Sequence, residues 1–185
     1  MQPLYAAVRA GDQAQVKALL EADPALAIFA AAIQGDTAAI EALLAENPTL
    51  TAMVSPDGWT PLHLAAHFAM SDAVQALLNQ GAQVNALSVN ALRNTPLHAA
   101  AAGRATEAGK LLVARGANVN ARQHGGWTAL HAVAQTGDIE FARALVESGA
   151  DVNVRAENQQ RPLDLALTKG QQAMVDFLES HGASL

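Results

Sequence analysis

Histidine is the residue in this sequence with the widest chemical repertoire, and three of its six copies recur in one setting. "TPLHLAA" from Thr60, "TPLHAAA" from Thr95 and "TALHAVA" from Thr128 place His63, His98 and His131 three residues after a threonine. His67 follows His63 by four residues, which puts that pair on one helical face. Such a pair suggests metal binding, zinc above all. Zinc holds its ligands at about 2.0–2.1 Å, whereas packed helices lie roughly 8–10 Å apart, so histidines of successive units do not converge on one ion. No carboxylate stands between His63 and His67 as in H-E-x-x-H, and the sequence contains neither G-x-S-x-G nor a phosphate loop. Gly125-Gly126 reads as an ordinary turn. Asp12, Asp36, Asp72 and Asp138 fall at helix starts, where the helix dipole accounts for them. The absence of cysteine removes disulfides, thiolate metal sites and a thiol nucleophile. The expectation is a protein that is not an enzyme and takes no metal or cofactor.

The elements that carry these residues are helical. A chain of 185 residues that is 51% hydrophobic and 15% charged has ample apolar surface for a core. Only 4% is aromatic while alanine is abundant, which suits close-packed helices better than β-branched strands. No apolar run reaches the 18 or so residues of a membrane span, and Met1 to Gly11 lacks the basic-then-apolar order of a secretory signal. A soluble, cytoplasmic protein without a membrane partner is expected. The net charge of −6 argues against nucleic acid, because neutralising phosphates supplies most non-specific affinity. That charge is uneven: through Gln80 there are eight acidic against two basic side chains, and from Gly81 onward nine against nine.

Self-similarity organises the chain. The three histidine motifs and "RPLDLAL" from Arg161 are separated by 35, 33 and 33 residues, and a G-A pair begins 21 residues after each leading residue, at Gly81, Gly116, Gly149 and Gly182. Thr60 suits a helix N-cap with Pro61 at the first helical position, where its missing donor is harmless. Val74, Leu77 and Leu78 make one stripe on a second helix, and Gly81 suits the left-handed residue that closes it. Two earlier helix pairs, residues 7–26 and 31–50, match at an offset of 24, so Asp23-Pro24 turns directly from one pair to the next without a finger.

The stretch "DGWTPLHLAA", with "VQALL" and "GAQVN" after it, resembles the ankyrin repeat family, and the likeness spans most of the chain. The resemblance implies an all-α solenoid of about six helix-turn-helix units, with β-hairpin-like fingers between units two to six. A single domain is expected, with units at about 1–24, 25–54, 55–89, 90–122, 123–155 and 156–185, the first and last serving as caps. It also implies that each motif histidine bonds to backbone and braces its finger, and that a protein partner is bound by finger tips and the inner face of the first helices. In unit four Gly109 takes the place of Val74 and Arg104 that of the inter-helix glycine, so its second helix is expected to be the weakest.

The candidate contacts are read at those places. Trp59 and Trp127 precede their motif threonines and either anchor a partner or fold over the next finger. Past the motif alanines come His67, Phe68 and Met70, and in unit four Arg104. Phe68 stands where a polar residue is expected, which implies either a contact or burial under a neighbour. Arg93, Arg122 and Arg155 form a positive rim on the C-terminal fingers suited to an acidic patch on a partner, and Arg104 joins them as an electrostatic contact. The finger from Asn85 to Thr95 is two residues longer than its counterparts and carries Leu87, Val89 and Leu92, which either face a partner or fold back onto the stack. A monomeric binding scaffold is the first reading; a self-associating structural protein and a small-molecule or metal-binding module are the alternatives.

Overall fold

The computed structural model describes residues 1–184. Among the described residues, twelve α-helices form six antiparallel pairs. α1 (Gln2–Ala10) and α2 (Gln13–Ala22) make the first pair, α3 (Ala27–Gln34) and α4 (Thr37–Glu46) the second, and α5 (Pro61–His67) and α6 (Ser71–Asn79) the third. α7 (Pro96–Gly103) and α8 (Thr106–Ala114), α9 (Ala129–Thr136) and α10 (Ile139–Glu147), and α11 (Pro162–Thr168) and α12 (Gln172–Ser180) complete the stack. Odd-numbered helices pack on odd-numbered ones, and from α4 onward even on even, giving two layers.

One apolar cluster runs through the stack from Leu4 to Leu178. The motif leucines Leu62, Leu97, Leu130 and Leu163 are buried in the first layer, and Leu77, Leu112, Leu145 and Leu178 take one equivalent position in the second. Alanines such as Ala65, Ala66, Ala100 and Ala101 are buried between first helices, where a small side chain lets two backbones approach closely. Glu179, at the last unit's second stripe position, is exposed, as an end cap requires.

The connections follow from short-range chemistry. Asp23 caps a single 3-10 turn, Pro24–Leu26, by accepting from the Ala25 N–H at 3.1 Å, and α3 starts at once, without a finger. Asn47 does the same for Pro48–Ala52. Later connections are fingers. Each is closed by one backbone bond, from the N–H of Ser55 to the carbonyl of Trp59, Ser88 to Asn94, Gln123 to Trp127 and Ala156 to Gln160, at 2.8–2.9 Å. Single bonds also join successive fingers, from Val89 to Gly58, His124 to Leu92 and Glu157 to Gly125. The fingers are thus hairpin-like in path only: among the described residues none forms a strand, because one closing bond and one bond within the turn do not build a ladder.

The asparagine of G-A-x-V-N ties the units together. Asn85 Nδ2 donates to the Gly116 carbonyl while its Oδ1 accepts from Asn118 N–H, and Asn120 and Asn153 repeat the arrangement on Gly149 with Asp151 and on Gly182 with Ser184. One side-chain amide satisfies a donor and an acceptor left open just past the second helix of the next unit.

In unit four the glycine of the second helix has a packing partner. Gly109 is buried, and a methyl group there would run into the ring of Phe141, which is itself fully buried on α10. Phe141 occupies the place held by Ala73 and Ala108 in the two preceding units, so bulk added on α10 meets bulk removed on α8. The glycine is one half of a size exchange. Arg104 takes the left-handed conformation its position requires (φ 55°), as does Ala69 in unit three (φ 61°).

Candidate functional site

The motif histidines are braces. His63 Nε2 lies 3.0 Å from the Asn94 carbonyl, His98 Nε2 3.1 Å from that of Trp127, and His131 Nε2 3.1 Å from that of Gln160, each at the base of the next finger. Each Nδ1 lies close to its own threonine's N–H and hydroxyl. This arrangement calls for the neutral tautomer, with Nε2–H donating to the carbonyl and Nδ1 accepting from the threonine N–H. Burial pushes all three below the ordinary histidine value, His63 to about 4. In the last unit Arg161 and Asp164 close the equivalent turn: the Arg161 N–H donates to Asp164 Oδ2 at 2.8 Å and its guanidinium reaches Oδ1 at 3.0 Å. Hydrogen bonding to Arg161 holds the Asp164 carboxyl below its usual range.

The lengthened finger turns its polar residues inward and its apolar ones outward. Ser88 and Asn94 are buried, with Ser88 Oγ accepting from the Asn94 N–H at 3.0 Å and donating to Asn90 Oδ1 at 2.9 Å. Asn90 Oδ1 also accepts from the Leu92 N–H, and its Nδ2 reaches across to the Asp57 carbonyl at 3.0 Å. Gly58 makes that approach possible: its φ is 82°, and a Cβ would fall 2.7 Å from Asn90 N. With Ser88, Asn90 and the Asn94 main chain hydrogen-bonded beneath and only Asn94 Oδ1 buried without a partner, Leu87, Val89 and Leu92 face solvent at 49%, 70% and 47% of full exposure. None is folded back into the core. Val54, on the preceding connection, is exposed as well.

A cavity of about 470 Å³ lies beside this finger, lined among others by Tyr5, Asp57, Trp59, His67, Phe68 and Asn90. Trp59 is half-buried and packs over histidines of its own unit, edge-on to His67 with centroids 5.2 Å apart. Trp127 likewise lies over its own His131 at 5.3 Å. Phe68 sits between His67 at 5.2 Å and Tyr5 of α1 at 5.7 Å, with the Arg9 guanidinium 5.5 Å above its ring. Burial, then the neighbouring Asp57 carboxylate, raises the Tyr5 hydroxyl well above its ordinary range.

Trp59, His67 and Phe68 therefore share one cavity, and Asn90 joins it to a depression lined by Leu87, Val89 and Arg93. Met70 belongs elsewhere, packed against the Gly35 turn of unit two. Arg104 caps the far end of α7 from its finger. Arg122 donates to the Arg155 carbonyl and Arg155 to that of Gln159 at 3.3 Å, so both guanidinia brace fingers while remaining exposed. None of the four arginines has a carboxylate within 4.0 Å among the described residues. Tyr5, Arg9, Asp57 and Asn90 were not singled out in the sequence. Only the proximity of Asp57 to the motif threonine hinted at one of them, because the others reach the cavity from distant segments.

A family model described as ankyrin repeats (3 copies) matches residues 4–88, 28–123 and 97–185. No curated protein matches the chain.

Proposed function

The chain belongs to the ankyrin repeat family, whose repeats generally mediate protein–protein interaction, and from that premise we propose that it is a non-catalytic scaffold binding one partner protein through the fingers and first-helix face of units three to five. The observation that carries the reading is the finger at Asn85–Thr95, which ties Ser88, Asn90 and the Asn94 main chain into internal hydrogen bonds and holds Leu87, Val89 and Leu92 out to solvent. An ordered, outward apolar patch loses little conformational entropy when covered, which favours recognition. Trp59, His67 and Phe68 continue the surface along α5, with Trp127 in unit five, while Arg93, Arg104, Arg122 and Arg155 give its later part a positive edge for an acidic stretch of the partner. The motif histidines, with both ring nitrogens engaged, serve the fold in this reading.

The test compares affinity capture by the wild-type chain with capture by Val89→Ser/Leu92→Ser, both exposed, so the fold is retained. A partner held by the first and lost by the second is expected. Equal capture by the two places the contact elsewhere. Self-association through the same finger is the competing outcome, and it would appear as concentration-dependent mass in light scattering that the double variant abolishes.

A further inference from the structure

The cavity between α1 and the Ser55–Trp59 turn has a chemistry of its own. Three aromatic rings, Tyr5, Trp59 and Phe68, contribute to its walls. Asp57 Oδ2 is a buried carboxylate oxygen that completes no hydrogen bond within 3.5 Å, although the Tyr5 hydroxyl stands beside it. A buried acceptor this incompletely paired is unfavourable, and a further donor entering the cavity would relieve it. His67 adds a second acceptor: its Nδ1 lies 3.3 Å from the Ala99 carbonyl, so Nδ1–H donates there and Nε2 keeps its lone pair. Acceptors beside aromatic faces describe a receptor for a planar cation, which stacks on rings through its face and donates hydrogen bonds at its edge.

We propose that this cavity takes an arginine side chain from the partner, its guanidinium stacked on Trp59 and donating to Asp57. Arg9 previews the chemistry, since its guanidinium already lies over the Phe68 ring, 5.5 Å from the centroid, and it has no carboxylate within 4.0 Å among the described residues. Arg9 is exposed and its side chain is long, so it yields the ring to an incoming guanidinium and acts as a competitor. The uneven charge supports the assignment: residues through Gln80 carry eight acidic against two basic side chains, a field that draws cations to this end. A partner segment that offers arginine here and acidic residues toward Arg122 and Arg155 would lie along the stack in a single direction. The inference rests on this face being a recognition surface.

The measurement is a titration of the full chain with N-acetyl-arginine amide, N-acetyl-lysine amide and N-acetyl-citrulline amide, following the two indole N–H resonances, assigned with Trp127→Phe. The Trp59 signal is expected to shift saturably with the arginine amide, while Trp127 stays still. The isosteric Asp57→Asn is expected to weaken binding by at least about tenfold, and Arg9→Ala to tighten it severalfold. A Trp59 signal unmoved at millimolar arginine amide overturns the inference. So does an equal response to neutral citrulline, and an equal response to lysine overturns the guanidinium assignment. Weaker binding in Arg9→Ala would overturn the role of Arg9 as a competitor for the ring. An unresponsive Trp59 in a chain whose partner capture still depends on Val89 and Leu92 removes the arginine assignment alone.

Discussion

At the scale of single residues, the same side-chain type is spent in opposite ways according to what surrounds it. His63, His98 and His131 are taken up by backbone partners and held neutral, whereas an unfolded histidine titrates near 6.5. Their folded values lie below the unfolded one, so between the two the unfolded chain binds more protons and stability rises with pH. Unfolding free energy should therefore be full above about pH 6.5 and fall as the pH drops toward 4, where folded His63 also protonates. For His63 alone the loss is on the order of 3 kcal/mol, since each pKa unit corresponds to about 1.4 kcal/mol. Urea titrations at pH 7.0, 5.5 and 4.5 check this, and a flat profile would show that the rings are not buried neutral. The bracing role was legible from the recurrence of Thr and His at one spacing together with the family likeness. The outward set of Leu87, Val89 and Leu92 was not, because only the buried pairing of Ser88, Asn90 and Asn94 decides which way the finger turns.

At the scale of elements, periodicity placed the six helix pairs and the missing first finger, since both are written in local residue types. It misjudged α8. Gly109 read alone is a helix weakener, but Phe141 arrives from the next pair, 32 residues on, to fill the space. Gly109→Ala should destabilise the protein by about 1–3 kcal/mol through overpacking, outweighing a propensity gain of up to about 1 kcal/mol. In a Phe141→Leu background that penalty should shrink toward zero. Urea unfolding of the four chains of this cycle measures the coupling, and an equal penalty in both backgrounds would separate the glycine from the ring. Ala69 offers the converse case. It is exposed and holds φ 61° where the later units use Gly137 and Gly170, so Ala69→Gly should stabilise by about 0.5–1 kcal/mol. A lower thermal midpoint for that variant would contradict the assignment of strain.

At the scale of the whole molecule, the stack brings together residues that no local pattern links. Tyr5 and Phe68 are 63 positions apart and meet because α1, α3 and α5 lie side by side, which is why the cavity was invisible until the helices were placed. The uneven charge was legible at once and sets an expectation for kinetics. Association with the partner should slow as ionic strength rises past about 0.15 M, where screening reaches about 8 Å, while dissociation, governed by the apolar finger, changes little. Stopped-flow or surface-based kinetics at two salt concentrations would read both. The central claim is that a partner is recognised on the fingers and first-helix face of units three to five, and amide hydrogen exchange of the captured complex tests it most directly. Protection on binding is predicted at residues 85–95 and along 55–68, with α6, α8 and α10 unchanged. Protection confined to α6, α8 and α10, with residues 85–95 exchanging as in the free protein, would contradict it.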